Sequence, residues 1–283
     1  MKSRLDLSLQ ERLLNGLAHL WYRLDRRRRQ ITRRNLEFAY GGELSPEARE
    51  LLVWKVFRHF LLFAWEILEM LLAPLSRIRK KVIILGEEHL VAALAQGRGA
   101  IVVAAHSGNW EYTVLGYGLM YRPVAVVARE MDLPWGRTLA RFLRQRGGNF
   151  MVDKQRGLKD ILGHLKQNRI VGIVIDQNTT TEGGLLVDFF GKAARTTPVA
   201  AILARHRDVP VLPGLSRRLS GGRHLMVIFP PIPMEKTRDP QGDIQRHLQL
   251  QSRAVEEWVR SCPEQWLWLH RRWKNQFPEL YEG

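Results

Sequence analysis

From Lys81 onward, short and continuously apolar runs alternate with segments of helical periodicity, and this alternation restricts the fold more than any other feature of the chain. The runs Val82–Leu85, 100–105, Val124–Ala128, 170–175, 209–212 and 225–229 are too short for helices and predict strands. Between them, 88–96, Trp110–Met120, 134–146, 157–167 and 198–206 predict helices, and a last helix over 243–260 precedes a tryptophan-rich tail. A strand that is apolar at every position is buried on both faces, as in a parallel sheet covered by helices. The expectation is an α/β domain.

Two amphipathic segments precede it. Leu9, Leu13, Leu17, Leu20, Trp21 and Leu24 recur at three- and four-residue spacing, with Arg12, Asn15, His19 and Arg23 opposite them. This helix runs into Arg26-Arg27-Arg28-Arg29 and Arg33-Arg34. Two readings fit: an interfacial helix whose basic block meets anionic lipid, or a helix docked on the core and followed by a solvated basic loop. A second helix, Pro46–Leu72, gathers Lys55, Arg58, His59, Glu66 and Glu69 into one narrow sector and is apolar around the rest of its circumference. Ordinary burial accounts for that surface, with a groove for a long apolar chain or contact with lipid as the alternatives. The stretch 60–75 is interrupted by Glu66 and Glu69 and closed by Pro74, short of the ~20 apolar residues a bilayer requires. No export signal is read in the first ten residues, which already carry Lys2, Arg4 and Asp6. The chain is expected to lie on a membrane rather than through it, with 1–45 as a basic membrane-interface segment and 46–283 as the α/β domain.

The 44 Lys and Arg against 28 Asp and Glu give a formal net charge of +16, which favours a polyanionic partner: a nucleic acid, an anionic lipid surface or an acidic carrier protein. Zinc-finger spacing, an aromatic RNA-recognition signature and a persuasive helix-turn-helix are all missing from the sequence, so nucleic acid is not expected. The single cysteine, Cys262, excludes an intrachain disulfide and any zinc site on paired cysteines, and points to a reducing compartment. Neither a metal nor a cofactor is expected.

The run 100–105 ends at His106, and helical periodicity resumes at Trp110. Polar clusters just past the carboxyl ends of parallel strands are where open α/β sheets place their sites. In His106-Ser107-Gly108-Asn109-Trp110-Glu111, residues five apart would diverge on one regular helix. His106 and Glu111 converge only if His106 precedes the helix, in a turn supplied by Ser107-Gly108-Asn109, which also offers a helix cap. Glu111 would then accept a hydrogen bond from one imidazole nitrogen and leave the other to take a proton. With no Gly-x-Ser-x-Gly elbow in the chain, the pair suits direct attack by a substrate hydroxyl on an activated acyl group, without a covalent enzyme intermediate.

These residues resemble the His-x-x-x-x-Asp/Glu motif of the bacterial lipid A biosynthesis acyltransferases, within the lysophospholipid acyltransferase superfamily. The resemblance continues in order through Arg33-Arg34-Asn35-Leu36, Val127-Ala128-Arg129, Arg144-Gln145-Arg146-Gly147 and Ile173-Val174-Ile175-Asp176-Gln177-Asn178. Val187-Asp188-Phe189-Phe190-Gly191-Lys192, Arg195-Thr196-Thr197-Pro198 and the closing run from Pro263 to Lys274 complete it. It implies a mixed, mostly parallel sheet flanked by helices, of the glycerolipid acyltransferase kind. It also implies transfer of a fatty acyl chain from acyl carrier protein, or from acyl-CoA, to a hydroxyl of an anionic glycolipid, a lipid A precursor, at the cytoplasmic face of the inner membrane. A phosphatidylinositol mannoside-like glycolipid or a lysophospholipid is the alternative acceptor. On this reading His106 and Glu111 are catalytic, Arg129 and Arg144 contact the oxyanion or substrate phosphates, and Asn109 is counted with the substrate-binding residues. Asp176, Gln177 and Asn178 serve acceptor binding or loop ordering rather than proton transfer. Trp266, Trp268 and Trp273 with Arg271, Arg272 and Lys274 form either an interfacial belt or a packed domain end. Members of the family often begin with a clear hydrophobic anchor; here there is only the amphipathic opening.

Overall fold

The computed structural model describes residues 9–128, 134–153 and 157–282. The strands are β1 (Val82–Leu85), β2 (Ala100–Ala104), β3 (Val124–Ala128), β4 (Phe150–Asp153), β5 (Ile170–Val174), β6 (Leu185–Phe189), β7 (Lys192–Thr196), β8 (Val211–Arg218) and β9 (His224–Ile228). Seven of them form one sheet in the order β1-β9-β8-β2-β5-β3-β4, parallel throughout except for the antiparallel β8–β9 pair. The expected mixed, mostly parallel sheet is therefore present. Its faces follow from the two-residue period of a strand. Ile101, Val103, Ala105, Val171 and Ile173 are buried in the larger core, whereas Ala100, Val102, Val124, Val126 and Ile170 are buried in a second one behind them. β6 and β7 pair separately as an antiparallel hairpin.

The helices are α1 (Leu9–Leu24), α2 (Arg26–Tyr40), α3 (Pro46–Leu72), α4 (Leu75–Lys81), α5 (Glu87–Leu94), α6 (Trp110–Met120), α7 (Pro134–Gln145), α8 (Gly157–Lys166), α9 (Val199–Arg207) and α10 (Pro240–Ser261). The arginine block forms the first turn of α2 rather than a loop. Asp25 caps that turn, accepting from the Arg28 backbone N–H at 3.0 Å, while Leu36, Ala39 and Tyr40 on the same helix enter the larger core. On α1, Leu14 and Ala18 are buried and the Trp21 ring packs at a tilt against Phe57, 4.7 Å between centroids. Leu13, Leu17, Leu20 and Leu24, spaced along one stripe of the same helix, remain exposed. Among the described residues no helix is long and apolar enough to cross a membrane.

The tail after α10 folds back over the larger core. Trp266, Trp268, Trp273 and Arg272 are all fully buried, so the tryptophans pack the domain end and form no interfacial belt. Asn35 of α2 fixes the tail from beneath: it donates to the carbonyls of Trp268 and His270, each at 2.7 Å, and accepts from the Tyr281 hydroxyl at 2.6 Å. Three hydrogen bonds on one fully buried amide satisfy groups that would each cost about 1–3 kcal/mol if left unpaired.

Candidate active site

The centre of the site follows from strand register. β2 and β5 are parallel neighbours with Ala104 opposite Val174, and the ladder continues one step as the Ile175 N–H donates to the Ala104 carbonyl at 3.1 Å. Two residues beyond each pair member stand His106 and Asp176. His106 Nδ1 lies 2.7 Å from Asp176 Oδ1, and the His106 backbone N–H donates to Oδ2 at 2.8 Å. The chain leaves β2 for α6, whose Tyr117 joins the core behind the sheet, and leaves β5 for the β6–β7 hairpin, whose Phe189 and Ala194 join the core in front. Such divergence is where open α/β sheets place their sites, and the partly exposed His106 side chain stands at that point.

Asp176 is fully buried and accepts a third hydrogen bond, from Trp266 Nε1 at 2.7 Å. Burial alone would raise its pKa, but the charge of His106 and the hydrogen bonds it receives hold the carboxyl below its usual value. An ionised Asp176 puts the imidazole proton on Nδ1 and leaves Nε2 as an acceptor. The Gln177 side-chain nitrogen stands 3.4 Å from Nε2 on the exposed side. Ser107, the hydroxyl next in sequence, is fully buried.

The expected hydrogen bond from His106 to Glu111 is absent among the described residues, and His106 Nδ1 donates to Asp176 instead. Glu111 lies in the first turn of α6, where its two carboxylate oxygens meet Arg144 of α7 in a fork, one of them at 2.9 Å from Nε. Burial would lower the Arg144 pKa, but Glu111 raises it, so the arginine stays charged and its charge is matched. Arg144 is thereby engaged in bracing α7 against α6. Arg129 lies outside the described residues. Asn109 is fully buried: its Oδ1 caps α6, accepting from the Tyr112 N–H at 3.0 Å, and its amide donates to Glu66 at 2.8 Å. It shapes the turn and presents no surface to a substrate.

The turn itself is pressed against β8. Gly108 has φ +61°, and a Cβ there would come within 2.6 Å of the Arg217 Cα. The Gly108 N–H donates to the Gln265 carbonyl at 3.0 Å, and the Ser107 carbonyl accepts from Ser216 Oγ at 2.8 Å.

Behind the turn lies a buried charged cluster that the sequence did not announce. Glu66 accepts from Arg218 at 2.5 and 2.6 Å as well as from Asn109, and Arg218 also meets His59 Nδ1 at 2.6 Å. Burial would raise the Glu66 pKa, yet its bonds with Arg218 leave it lowered. Burial, with the Arg218 charge beside it, keeps His59 well below its usual value. His224, 3.5 Å from Glu66, is brought down to about 4 by burial. Periodicity had grouped His59 and Glu66 on one sector of α3, but Arg218 carried no signal of its own. The tail contributes His270, whose Nε2 accepts from the Asn178 N–H at 3.2 Å, and Arg272, which donates to the Gln177 carbonyl at 2.8 Å. Both lie in the closing run quoted above.

A small apolar cavity, of about 40 Å³, lies in the second core beside this centre, with Trp110 of its lining in ring contact with His106 at 4.8 Å. Ala105 and Trp110 line it on either side of His106 in sequence, and Val102, Tyr117, Gly172 and Met226 line it deeper. A histidine paired with a buried carboxylate at the strand ends of an α/β sheet, beside an apolar cavity, is an arrangement found in group-transfer enzymes. The family described as bacterial lipid A biosynthesis acyltransferase matches residues 5–275, so the chain belongs to that family and is an acyltransferase. It is 29% identical over 267 residues to the lipid A biosynthesis lauroyltransferase of Escherichia coli (strain K12), covering 94% of this chain and 85% of the relative. It is 24% identical over 277 residues to a lipid A biosynthesis acyltransferase of Haemophilus influenzae, covering 95% and 84%. A phosphatidylinositol mannoside acyltransferase of Mycolicibacterium smegmatis is 28% identical over 144 residues, covering 49% of this chain and 46% of that one.

Proposed function

We propose that the protein transfers a fatty acyl chain from an acyl carrier protein thioester to a hydroxyl of a lipid A precursor, with His106 as the general base. The observation that carries this reading is the His106–Asp176 pair, with the His106 ring against Trp110, which lines the apolar cavity. Asp176 fixes the tautomer; Nε2 takes the proton of the incoming hydroxyl, and the imidazolium that forms is stabilised by the buried carboxylate. The freed oxygen attacks the thioester carbonyl directly, and the carrier thiol leaves with a proton. The acyl chain is received along this apolar lining, where each methylene that becomes buried contributes about 0.8 kcal/mol of binding. Glu111 and Arg144 hold α6 and α7 in place around the turn.

The net charge of +16 suits both an acidic carrier and an anionic lipid surface. The exposed leucine stripe on α1 beside the arginines of α2 supports peripheral attachment, with the chain lying at the cytoplasmic face of the inner membrane. A lipid A precursor is favoured as acceptor because the lipid A relatives match nearly the whole chain, whereas the mannoside acyltransferases match about half of it. Purified protein given labelled carrier thioester and a panel of these acceptors should form labelled lipid A precursor. The reading fails if wild type forms no product, or if His106→Ala forms as much.

A further inference from the structure

A second concavity, of about 880 Å³ including its open mouth, lies between the start of α2 and the C-terminal tail. Its polar wall is Arg27, Arg28, Asn178, His270, Arg271 and Lys274. The acid in the lining, Asp25, is already bound by Arg28 at 2.7 Å. Among the described residues Arg27, Arg271 and Lys274 have no ion-pair partner, so three positive charges share one cleft with the positive end of the α2 dipole. Charges gathered this way repel one another unless an anion sits among them, and guanidinium and ammonium donors match the oxygens of a phosphate.

The cleft lies close to the reacting centre. Asn178 lines it and directly follows Gln177, whose side chain stands 3.4 Å from His106 Nε2. His270 uses Nε2 to accept from the Asn178 N–H, so its proton is on Nδ1 and a further donor belongs to the same wall. Arg144, which the sequence had offered for phosphate recognition, is committed to Glu111.

We propose that this cleft is a phosphate subsite, holding a phosphate group of one substrate while the reacting carbon and oxygen meet at His106. The proposal rests on the acyl-transfer reading above, in which both substrates carry phosphate: the glycolipid acceptor on its sugars, and the donor in the phosphodiester that links its thiol arm to the carrier.

The test compares the full-length wild type with Arg27→Gln/Arg271→Gln/Lys274→Gln, using the phosphorylated acceptor, the same acceptor stripped by phosphatase, and the carrier thioester. Wild type should show a KM at least about tenfold lower for the phosphorylated acceptor, and the variant should lose that preference with kcat nearly unchanged. A rise of similar size in the donor KM alone would place the donor's phosphodiester there instead and equally support the subsite. Both KM values within about twofold of wild type, in a variant with an unchanged melting curve, would overturn it. Lys274→Gln alone, an exposed change, supplies a smaller shift in the same direction if the triple variant fails to fold. Should wild type transfer no acyl group at all, the acyl-transfer reading fails on its own. Calorimetric titration with a phosphorylated glucosamine disaccharide then decides the cleft: binding lost in the variant supports it, and no binding to wild type refutes it.

Discussion

The assignment of Asp176 as partner of the base can be tested by a change of one atom. In Asp176→Asn, one carboxylate position must become an NH2 group. Oδ2 now receives two donors, the His106 backbone N–H at 2.8 Å and Trp266 Nε1 at 2.7 Å, while Oδ1 faces His106 Nδ1 alone. The amide oxygen will take the position that satisfies two donors, which turns the NH2 toward Nδ1. Nδ1 must then accept, the ring proton moves to Nε2, and the base is lost; a carboxylate-to-amide change of this kind behind a general-base histidine costs on the order of 10⁴ in kcat. Three hydrogen bonds remain, so the fold survives. Steady-state thioester turnover with saturating acceptor would show kcat reduced by about three to four orders of magnitude and a nearly unchanged melting temperature. The reasoning is refuted if Asp176→Asn keeps kcat within about tenfold of wild type. Glu111→Gln losing about 10³-fold or more in the same assay would return the orienting role to Glu111.

Gly108→Ala meets the Arg217 backbone at a φ only glycine adopts cheaply, so thermal unfolding should shift down by at least the ~1–2 kcal/mol of left-handed strain, with transfer activity lost. Asn35→Ala removes the partner of the Trp268 carbonyl and one of the hydrogen bonds at the His270 carbonyl and the Tyr281 hydroxyl, and urea denaturation should show a loss of about 1–3 kcal/mol. His224 and His270 are each held near 4 by burial, so from about pH 6.5 downward the unfolded chain takes up protons that the folded chain refuses. Folding stability should therefore be greatest above that range and fall as pH drops toward 4, by on the order of 3 kcal/mol per histidine; urea midpoints that stay level between pH 7.5 and 5 would contradict this. Narrowing the cavity with Gly172→Val should move product acyl chains shorter, and widening it with Met226→Ala should move them longer, as read by mass spectrometry of the lipid formed.

The parts of the fold that sequence made legible are those whose burial is complete. β2 and β5 are apolar at every position because both faces are covered, and their run lengths locate His106 and Asp176 at strand ends. β6 and β7 alternate buried and exposed residues and contain Asp188, Lys192 and Arg195, so no apolar run marks them. The choice between Glu111 and Asp176 was beyond periodicity because it depends on which strands are neighbours. Glu111 is five residues from His106 and Asp176 is seventy away, but the β2–β5 register brings the distant one into contact. The tryptophans of the tail illustrate the same limit: composition fits a belt or a core equally, and only the fold-back onto α2 selects the core.

Trp266 donates to the carboxylate paired with His106, and Gln265 accepts from the glycine of the turn that follows it. The His106–Asp176 pair is thus completed by a segment synthesised about ninety residues after Asp176 and held in place by Asn35 near the other end of the chain. A nascent chain still on the ribosome before Trp266 has emerged contains both members of the pair but not this donor, so the pair gains its full set of hydrogen bonds only when the tail has been made.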